Sequence, residues 1–257
     1  MIPSALEHVQ EIAGRSGKVA VFLDYDGTLT PIVSQPEDAW LSDSMRQTLR
    51  ALAARAPVAI LSGRDLDNVQ RRVSVNGVVY AGSHGFDIAG PRGLQKQVAT
   101  EFLPNLDYAE KELREMLDRI PEARVERKRF SIAAHYRNVK ENVVPKVERA
   151  VSEVTARHCE LRRIDGKKVY ELLPAIDWDK GKAVIWLLET LGLESRSGGI
   201  RPIYIGDDST DEDAFRAIER RGIGILVSDQ SQPTAARYSL RDPAEVERFL
   251  RALTTLT

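Results

Sequence analysis

Two aspartates stand two residues apart in the run Asp24-Tyr25-Asp26-Gly27-Thr28-Leu29-Thr30. At that spacing one carboxylate can attack phosphorus while the other protonates the leaving oxygen and later takes a proton from water. Gly27 lets the backbone turn tightly beneath a phosphate. Ser62-Gly63-Arg64 adds a hydroxyl and backbone N–H groups able to grip a phosphoryl oxygen. Asp179-Lys180-Gly181-Lys182 adds an ammonium to neutralise the phosphate and the charge developing around Asp24; Lys180 is preferred because Gly181 permits a close backbone approach. Gly206-Asp207-Asp208-Ser209-Thr210-Asp211-Glu212-Asp213 packs carboxylates so densely that they need a cation or must splay into solvent. Asp207 reads as a metal ligand beside Asp24, and Asp211 and Asp208 as its supporting shell. Each motif alone also fits an ordinary structural role: an Asx turn, a helix cap, a surface lysine pair, an acidic helix start.

What favours chemistry is the element that delivers each group. Val19–Leu23 is short, apolar and β-rich, as expected of a strand buried on both faces of a parallel sheet, and it ends at Asp24. Val58–Leu61 is a second such strand ending at Ser62, and Pro202–Ile205 another ending at the acidic run. Helical spacing over 42–56, Asp65–Arg72, 180–192 and Asp211–Arg220 alternates with these strands and with Gly77–Tyr80 and Gly224–Val227. A last helix is expected from Pro243 to Leu250. Ligands of open α/β sheets collect at strand carboxyl ends, where all four groups fall.

The pattern changes in the middle of the chain. A charged amphipathic helix (Tyr108–Ile120), a period-two stretch within Val125–Tyr136, a helix (Val143–Ala156) and strands Cys159–Ile164 and Lys168–Leu172 about an Asp165-Gly166 turn make an α+β insert. The expectation is an α/β, Rossmann-like parallel core, residues 1–104 and 176–257, interrupted by a cap at 105–175 that excludes water and recognises the leaving group.

Bulk properties narrow the partners. Hydrophobic residues are 42% and charged residues 29% of 257, with 37 basic against 38 acidic side chains. A formal charge of -1 gives no ground for a nucleic acid or membrane partner. A single cysteine, Cys159, excludes an internal disulfide framework and suits a reducing compartment. Glu7, His8, Gln10 and Glu11 stand where a signal peptide would be apolar, so the expected location is the cytoplasm.

These motifs resemble the haloacid-dehalogenase-like (HAD-like) phosphohydrolases: Asp-x-Asp-x-Thr, a Ser/Thr, a Lys, then Gly-Asp-Asp or Gly-Asp-x-x-x-Asp. The resemblance implies that Asp24 is phosphorylated, that Asp26 is acid and base, and that Ser62 and Lys180 hold phosphate. It further implies Mg2+ held by Asp24, Asp207 and the Asp26 backbone carbonyl. A finer resemblance, to trehalose-6-phosphate phosphatases, rests on residues 24–32, Gly82–Asp87, His135-Tyr136-Arg137, Gly166–Pro174 and Gly206–Phe215. Ser83, Asp87 and Leu173-Pro174 depart from its usual Asn, Glu and Arg-Pro. That resemblance implies a sugar-phosphate substrate met by Asp24, Tyr25, Asp26, Ser62, Gly63, Arg64, His84, Arg137 and Glu171, and leaves room for association with a trehalose-phosphate synthase. Two alternatives stand beside it: a phosphatase for sucrose 6-phosphate or a glycosyl-glycerate phosphate, and a non-catalytic sugar-phosphate-binding subunit.

Overall fold

The computed structural model describes residues 2–14, 17–193 and 199–257. The chain forms two compact units, Met1–Lys96 with Trp178–Thr257, and Gln97–Asp177. The first pass through the larger unit lays down α1 (Val9–Ala13), β1 (Val19–Asp24), α2 (Asp43–Ala53), β2 (Val58–Leu61), α3 (Leu66–Val73), β3 (Val79–Gly82), β4 (Asp87–Ala89) and β5 (Gln95–Gln97). The smaller unit follows with α4 (Leu103–Leu117), β6 (Arg124–Lys128), β7 (Ser131–His135), α5 (Val144–Arg157), β8 (Leu161–Gly166) and β9 (Val169–Pro174). The chain then returns through α6 (Lys180–Thr190), β10 (Arg201–Gly206), α7 (Asp211–Ile218), β11 (Ile223–Val227), β12 (Tyr238–Leu240) and α8 (Pro243–Thr254).

In the larger unit β1 is central, with strand order β12-β11-β10-β1-β2-β3-β4-β5. The pairings from β12 through β3 are parallel, and β4 joins β3 antiparallel. Alternate residues of β1 enter two different cores: Val19, Val21 and Leu23 one, Ala20 and Phe22 the other. Residues of α1, α2, α3 and α8 complete the first core, and residues of α6 and α7 the second. Burial on both faces explains why β1 reads as an unbroken apolar run. Each such fully buried aliphatic or aromatic side chain contributes roughly 1.5–3 kcal/mol.

Register sets the strand ends. Asp24 lies opposite Leu61, the residue before Ser62, and Leu23 lies opposite Ile205, two residues before Asp207. The chain leaves β1 toward β2 on one side and joins it with β10 on the other, the topological switch point where α/β sheets open a crevice. Asp179 caps α6, its carboxylate accepting the Lys182 N–H at 2.8 Å, and so fixes the first turn that carries Lys180.

The smaller unit is an antiparallel sheet ordered β6-β7-β9-β8. Val125, Ile132, Tyr170 and Leu172 face α4 and α5, packing with Leu106, Leu113, Val147 and Val151. Two expectations shift here. Helix α4 begins at Leu103 rather than Tyr108, because Pro104 is tolerated in a first turn where no N–H is needed. The β8–β9 turn falls at Lys167-Lys168, not Asp165-Gly166, which instead pair with Tyr170 and Val169. This register forms six residue pairs. An Asp-Gly turn would leave the end of β9 without β8 opposite it. The longer ladder outweighs the left-handed Lys168 (φ 67°), a cost of roughly 1–2 kcal/mol.

Candidate active site

Asp24 closes β1 at 5% exposure, and its Oδ1 accepts a hydrogen bond from Lys180 Nζ at 2.7 Å. The same ammonium donates to Asp211 Oδ1 at 2.7 Å. Lys180 is itself 3% exposed and Asp211 fully buried. Burial pushes the Asp24 carboxyl well above its ordinary range against the pull of Lys180, and the negative charges of Asp211 and Asp207 push the same way. Burial alone would lower Lys180, but Asp211 and Asp24 outweigh it and hold the ammonium well above an ordinary lysine.

Asp211 is saturated. Its Oδ1 also accepts the Tyr204 hydroxyl at 2.6 Å, and its Oδ2 accepts the N–H groups of Asp207 and Asp208, each at 3.0 Å. A carboxylate has about four acceptor positions, and here all are used. One oxygen each from Asp24, Asp207 and Asp211 can lie within 4.8 Å of one another. With its acceptor positions filled, Asp211 orients Lys180 and the backbone at Asp207, while Asp24 and Asp207 have the chemistry of direct ligands. Asp208 turns its carboxylate to Ser209 and contributes its backbone N–H to Asp211.

The donor set fits a hard divalent cation. It consists of carboxyl oxygen atoms, three acidic groups set against one ammonium, the oxygen-only chemistry that such cations take. Gly27, at φ 89°, packs its bare backbone against the Asp207 carboxylate, where a Cβ would overlap it. The loop after β1 is therefore cut to admit Asp207 alongside Asp24.

Ser62 is buried just past β2. Its Oγ accepts the Arg64 N–H at 3.1 Å, which leaves the hydroxyl proton to donate to a ligand. The loop is cross-braced: the Ser83 N–H donates to Arg64 O at 2.7 Å and the His84 N–H to Ser62 O at 2.9 Å. Ser83 and His84 are both left-handed, at φ 47° and 57°. That conformation lays the His84 ring against Gly63, where a Cβ would sit 2.8 Å from the imidazole.

Residues 22–244 match the family model described as Trehalose-phosphatase. The chain belongs to the trehalose-phosphatase family. A rice (Oryza sativa subsp. japonica) protein named "Probable trehalose-phosphate phosphatase 4" is 45% identical over 98% of this chain and 70% of its own length. The maize (Zea mays) protein named trehalose 6-phosphate phosphatase RA3 is 42% identical over 98% and 74%. The solved C-terminal domain of the C. albicans trehalose-6-phosphate phosphatase shares the fold at TM-score 0.87 and 22% identity, covering all of both chains. As in other trehalose-phosphatases the core is thus HAD-like, α/β and Rossmann-like.

Among the residues singled out in the sequence, the structure brings together Asp24, Lys180, Asp207 and Asp211, and separately Ser62, Gly63, Arg64 and His84. Two stand differently from expectation. The Tyr25 side chain lies in the core and donates to Ala39 O at 2.8 Å, its hydroxyl pushed up to about 12 by burial, so only its backbone is left for a ligand. Arg64 turns its fork to Asp26, donating from Nε and Nη2 at 2.7 Å each.

Glu171 and Arg137 belong to the smaller unit. Glu171 lies on the sheet face opposite the helices, where its Oε1 accepts from Lys128 Nζ at 2.8 Å and from the Ser131 hydroxyl. On the same face His135 meets Glu126 at 2.8 Å; that hydrogen bond, helped by the Lys128 charge, outweighs burial and holds Glu126 below the usual carboxylate range. Arg137 is exposed past the end of β7 and donates to Lys167 O at 2.9 Å. Sequence reasoning missed Glu126, Lys128 and Ser131. The signal available was their alternation with Val125 and Ile132 about the 129–130 turn.

Proposed function

We propose that this protein hydrolyses trehalose 6-phosphate to trehalose and inorganic phosphate through an aspartyl phosphate on Asp24. The observation that carries the mechanism is the buried Asp24–Lys180–Asp211 chain, with both contacts of Lys180 at 2.7 Å. Lys180 fixes one oxygen of Asp24 and leaves the other to attack phosphorus. Asp26 donates its proton to the departing sugar oxygen as the phosphorus–oxygen bond breaks. It then takes a proton from water as that water attacks the aspartyl phosphate, restoring the Asp24 carboxylate and releasing phosphate. Ser62 Oγ–H holds a phosphoryl oxygen, and Lys180 offsets the phosphoryl charge.

Mg2+ is the metal proposed, with Asp24, Asp207 and the Asp26 backbone carbonyl to hold it. When bound it supplies charge neutralisation at the transferring phosphoryl group. For the sugar, Lys128, Glu171, Glu126 and His135 offer a donor and acceptors suited to hydroxyl groups, and E171Q is expected to raise KM. Among the described residues no helix is long and apolar enough to cross a membrane.

Phosphate release from trehalose 6-phosphate, with Mg2+ and with chelator, tests the assignment beside glucose and sucrose phosphates. Asp24→Asn is expected to abolish turnover with an unchanged circular-dichroism spectrum. Near-normal turnover by that variant would overturn the mechanism, and equal rates on the three sugars would overturn the substrate.

A further inference from the structure

Arg64 directly follows the phosphate-gripping pair Ser62-Gly63, so its type and place suggest a phosphate contact. Its geometry says otherwise. The side chain is 11% exposed, and its guanidinium offers two parallel donors to the two oxygens of one carboxylate, Asp26, at 2.7 Å each. A planar fork on a carboxylate fixes orientation as well as distance. Asp26 needs that help, because its own side chain is 39% exposed, and a half-exposed aspartate otherwise exchanges rotamers freely.

The fork is itself held. Arg64 Nη1 lies 3.4 Å from Asn68 Oδ1, and the same oxygen accepts from Arg72 Nε at 2.7 Å. Arg72 Nη1 donates to Ala39 O at 2.9 Å, and that carbonyl also accepts the Tyr25 hydroxyl. The Arg64 guanidinium sits over the Tyr25 ring, 5.4 Å from its centroid. Asn68 and Arg72 are four residues apart on α3, the interval that stacks side chains along one helix face, and Arg64 stands just before that helix. The result is a closed ring of contacts that starts at Asp26, runs down α3, crosses to the 37–40 segment and returns to Tyr25, the neighbour of Asp26.

We propose that Arg64 is a positioning residue that aims the Asp26 carboxyl at the leaving oxygen, with Asn68 and Arg72 holding its fork in place. This rests on the acid role proposed for Asp26. A residue that positions the acid, rather than binding phosphate, affects departure of a poor leaving group while sparing phosphate affinity. Loss of a general acid costs on the order of 10²–10⁴-fold for a leaving group that needs protonation, and little for nitrophenolate, which leaves without a proton.

The experiment compares Arg64→Ala, Arg64→Lys, Asn68→Ala and Asp26→Asn with the wild-type chain in Mg2+. Three quantities are read: kcat and KM on trehalose 6-phosphate, the inhibition constant of inorganic phosphate, and single-turnover release of p-nitrophenolate from its phosphate. Arg64→Ala is expected to lower kcat on the sugar phosphate about 100-fold. KM and the phosphate inhibition constant should stay within about threefold, and the nitrophenolate release should fall far less than the sugar reaction. Arg64→Lys keeps the charge without the fork and should recover little; Asn68→Ala, which leaves the Arg64–Asp26 pair in place, should show a smaller loss of the same kind. A rise in the phosphate inhibition constant of Arg64→Ala that matches its loss of kcat/KM would overturn the proposal in favour of a phosphate contact. So would wild-type kinetics for Arg64→Ala. If Asp26→Asn loses sugar and aryl reactions equally in single turnover, the acid role of Asp26 fails, and the role of Arg64 falls with it; if only Asp26→Asn discriminates between them, the fault lies with Arg64 alone.

Discussion

Lys180→Met removes the one ammonium from a buried group of three carboxylates and keeps the volume of the stem. At the 2.7 Å contacts to Asp24 and Asp211, each attraction is worth about 4 kcal/mol or more at an effective dielectric near 20. Several kcal/mol of that is already offset by the cost of desolvating the ammonium, which its removal returns. The net destabilisation expected is about 3–5 kcal/mol, or roughly 6–20 °C in melting temperature for a unit of this size. The pH dependence has a definite sign. The Asp24 carboxyl is already raised by burial, so its contribution to stability falls as pH rises from the unfolded value toward the folded one. Without Lys180 the folded value climbs further, and the variant keeps losing stability after the wild type has levelled. Lys180's own contribution, with its folded value raised, is fully present below the ordinary lysine range and is lost only in strong alkali. The gap between wild type and variant should therefore widen as pH rises above the ordinary carboxylate range. Urea unfolding in EDTA as a function of pH measures it. A gap under about 1 kcal/mol, or one that narrows with rising pH, would refute the view that Lys180 compensates these carboxylates.

Gly27→Ala places a methyl group against the Asp207 carboxylate at a left-handed φ of 89°; a loss of about 1–3 kcal/mol with loss of Mg2+ response is expected by thermal melt, and an unchanged Mg2+ titration would refute the close fit. Mg2+ added to chelator-treated protein should stabilise it by about 2.7 kcal/mol at a hundredfold excess over Kd, and Asp207→Asn should abolish that gain while Asp208→Asn keeps it. Glu171→Gln should raise KM for trehalose 6-phosphate with little change in the hydrolysis of p-nitrophenyl phosphate; equal effects on both would show that Glu171 does not serve the sugar.

The catalytic centre was legible wherever a short apolar strand ends at a polar group. Val19–Leu23 can do little but lie in a doubly covered sheet, and its end then fixes the place of Asp24. Ser62 and Asp207 follow by the same logic, since parallel register aligns their strand ends with Asp24. What escaped notice lacked an apolar signature or depended on a distant partner. Strands β4, β5 and β12 have three residues each, and in β5 Gln95 and Gln97 are exposed, so no burial pattern marks it. The pairing of Arg64 with Asp26 spans 38 positions, and nothing in the local spacing of Ser62-Gly63-Arg64 favours a carboxylate over a phosphate as the partner of that guanidinium.

The acidic run after β10 shows why composition reads a charge cluster too simply. Counted as charges, Asp207, Asp208, Asp211, Glu212 and Asp213 all look like ligands in waiting. Counted as acceptor positions, they separate. Asp211 is spent on Lys180, Tyr204 and two backbone N–H groups. Glu212 accepts from the Thr234 hydroxyl and the Ala235 N–H, and Asp213 pairs with Arg216. Asp208 is folded onto Ser209. Asp207 is the member whose carboxylate is pressed against Gly27 in the loop after β1. Asp211 thus acts twice: it holds the lysine that bonds Asp24, and its other oxygen holds the backbone at Asp207. Removing its charge while keeping its shape, as in Asp211→Asn, would disturb the surroundings of Asp24 and Asp207 at once, so its cost should exceed that of any other acid in the run except Asp207.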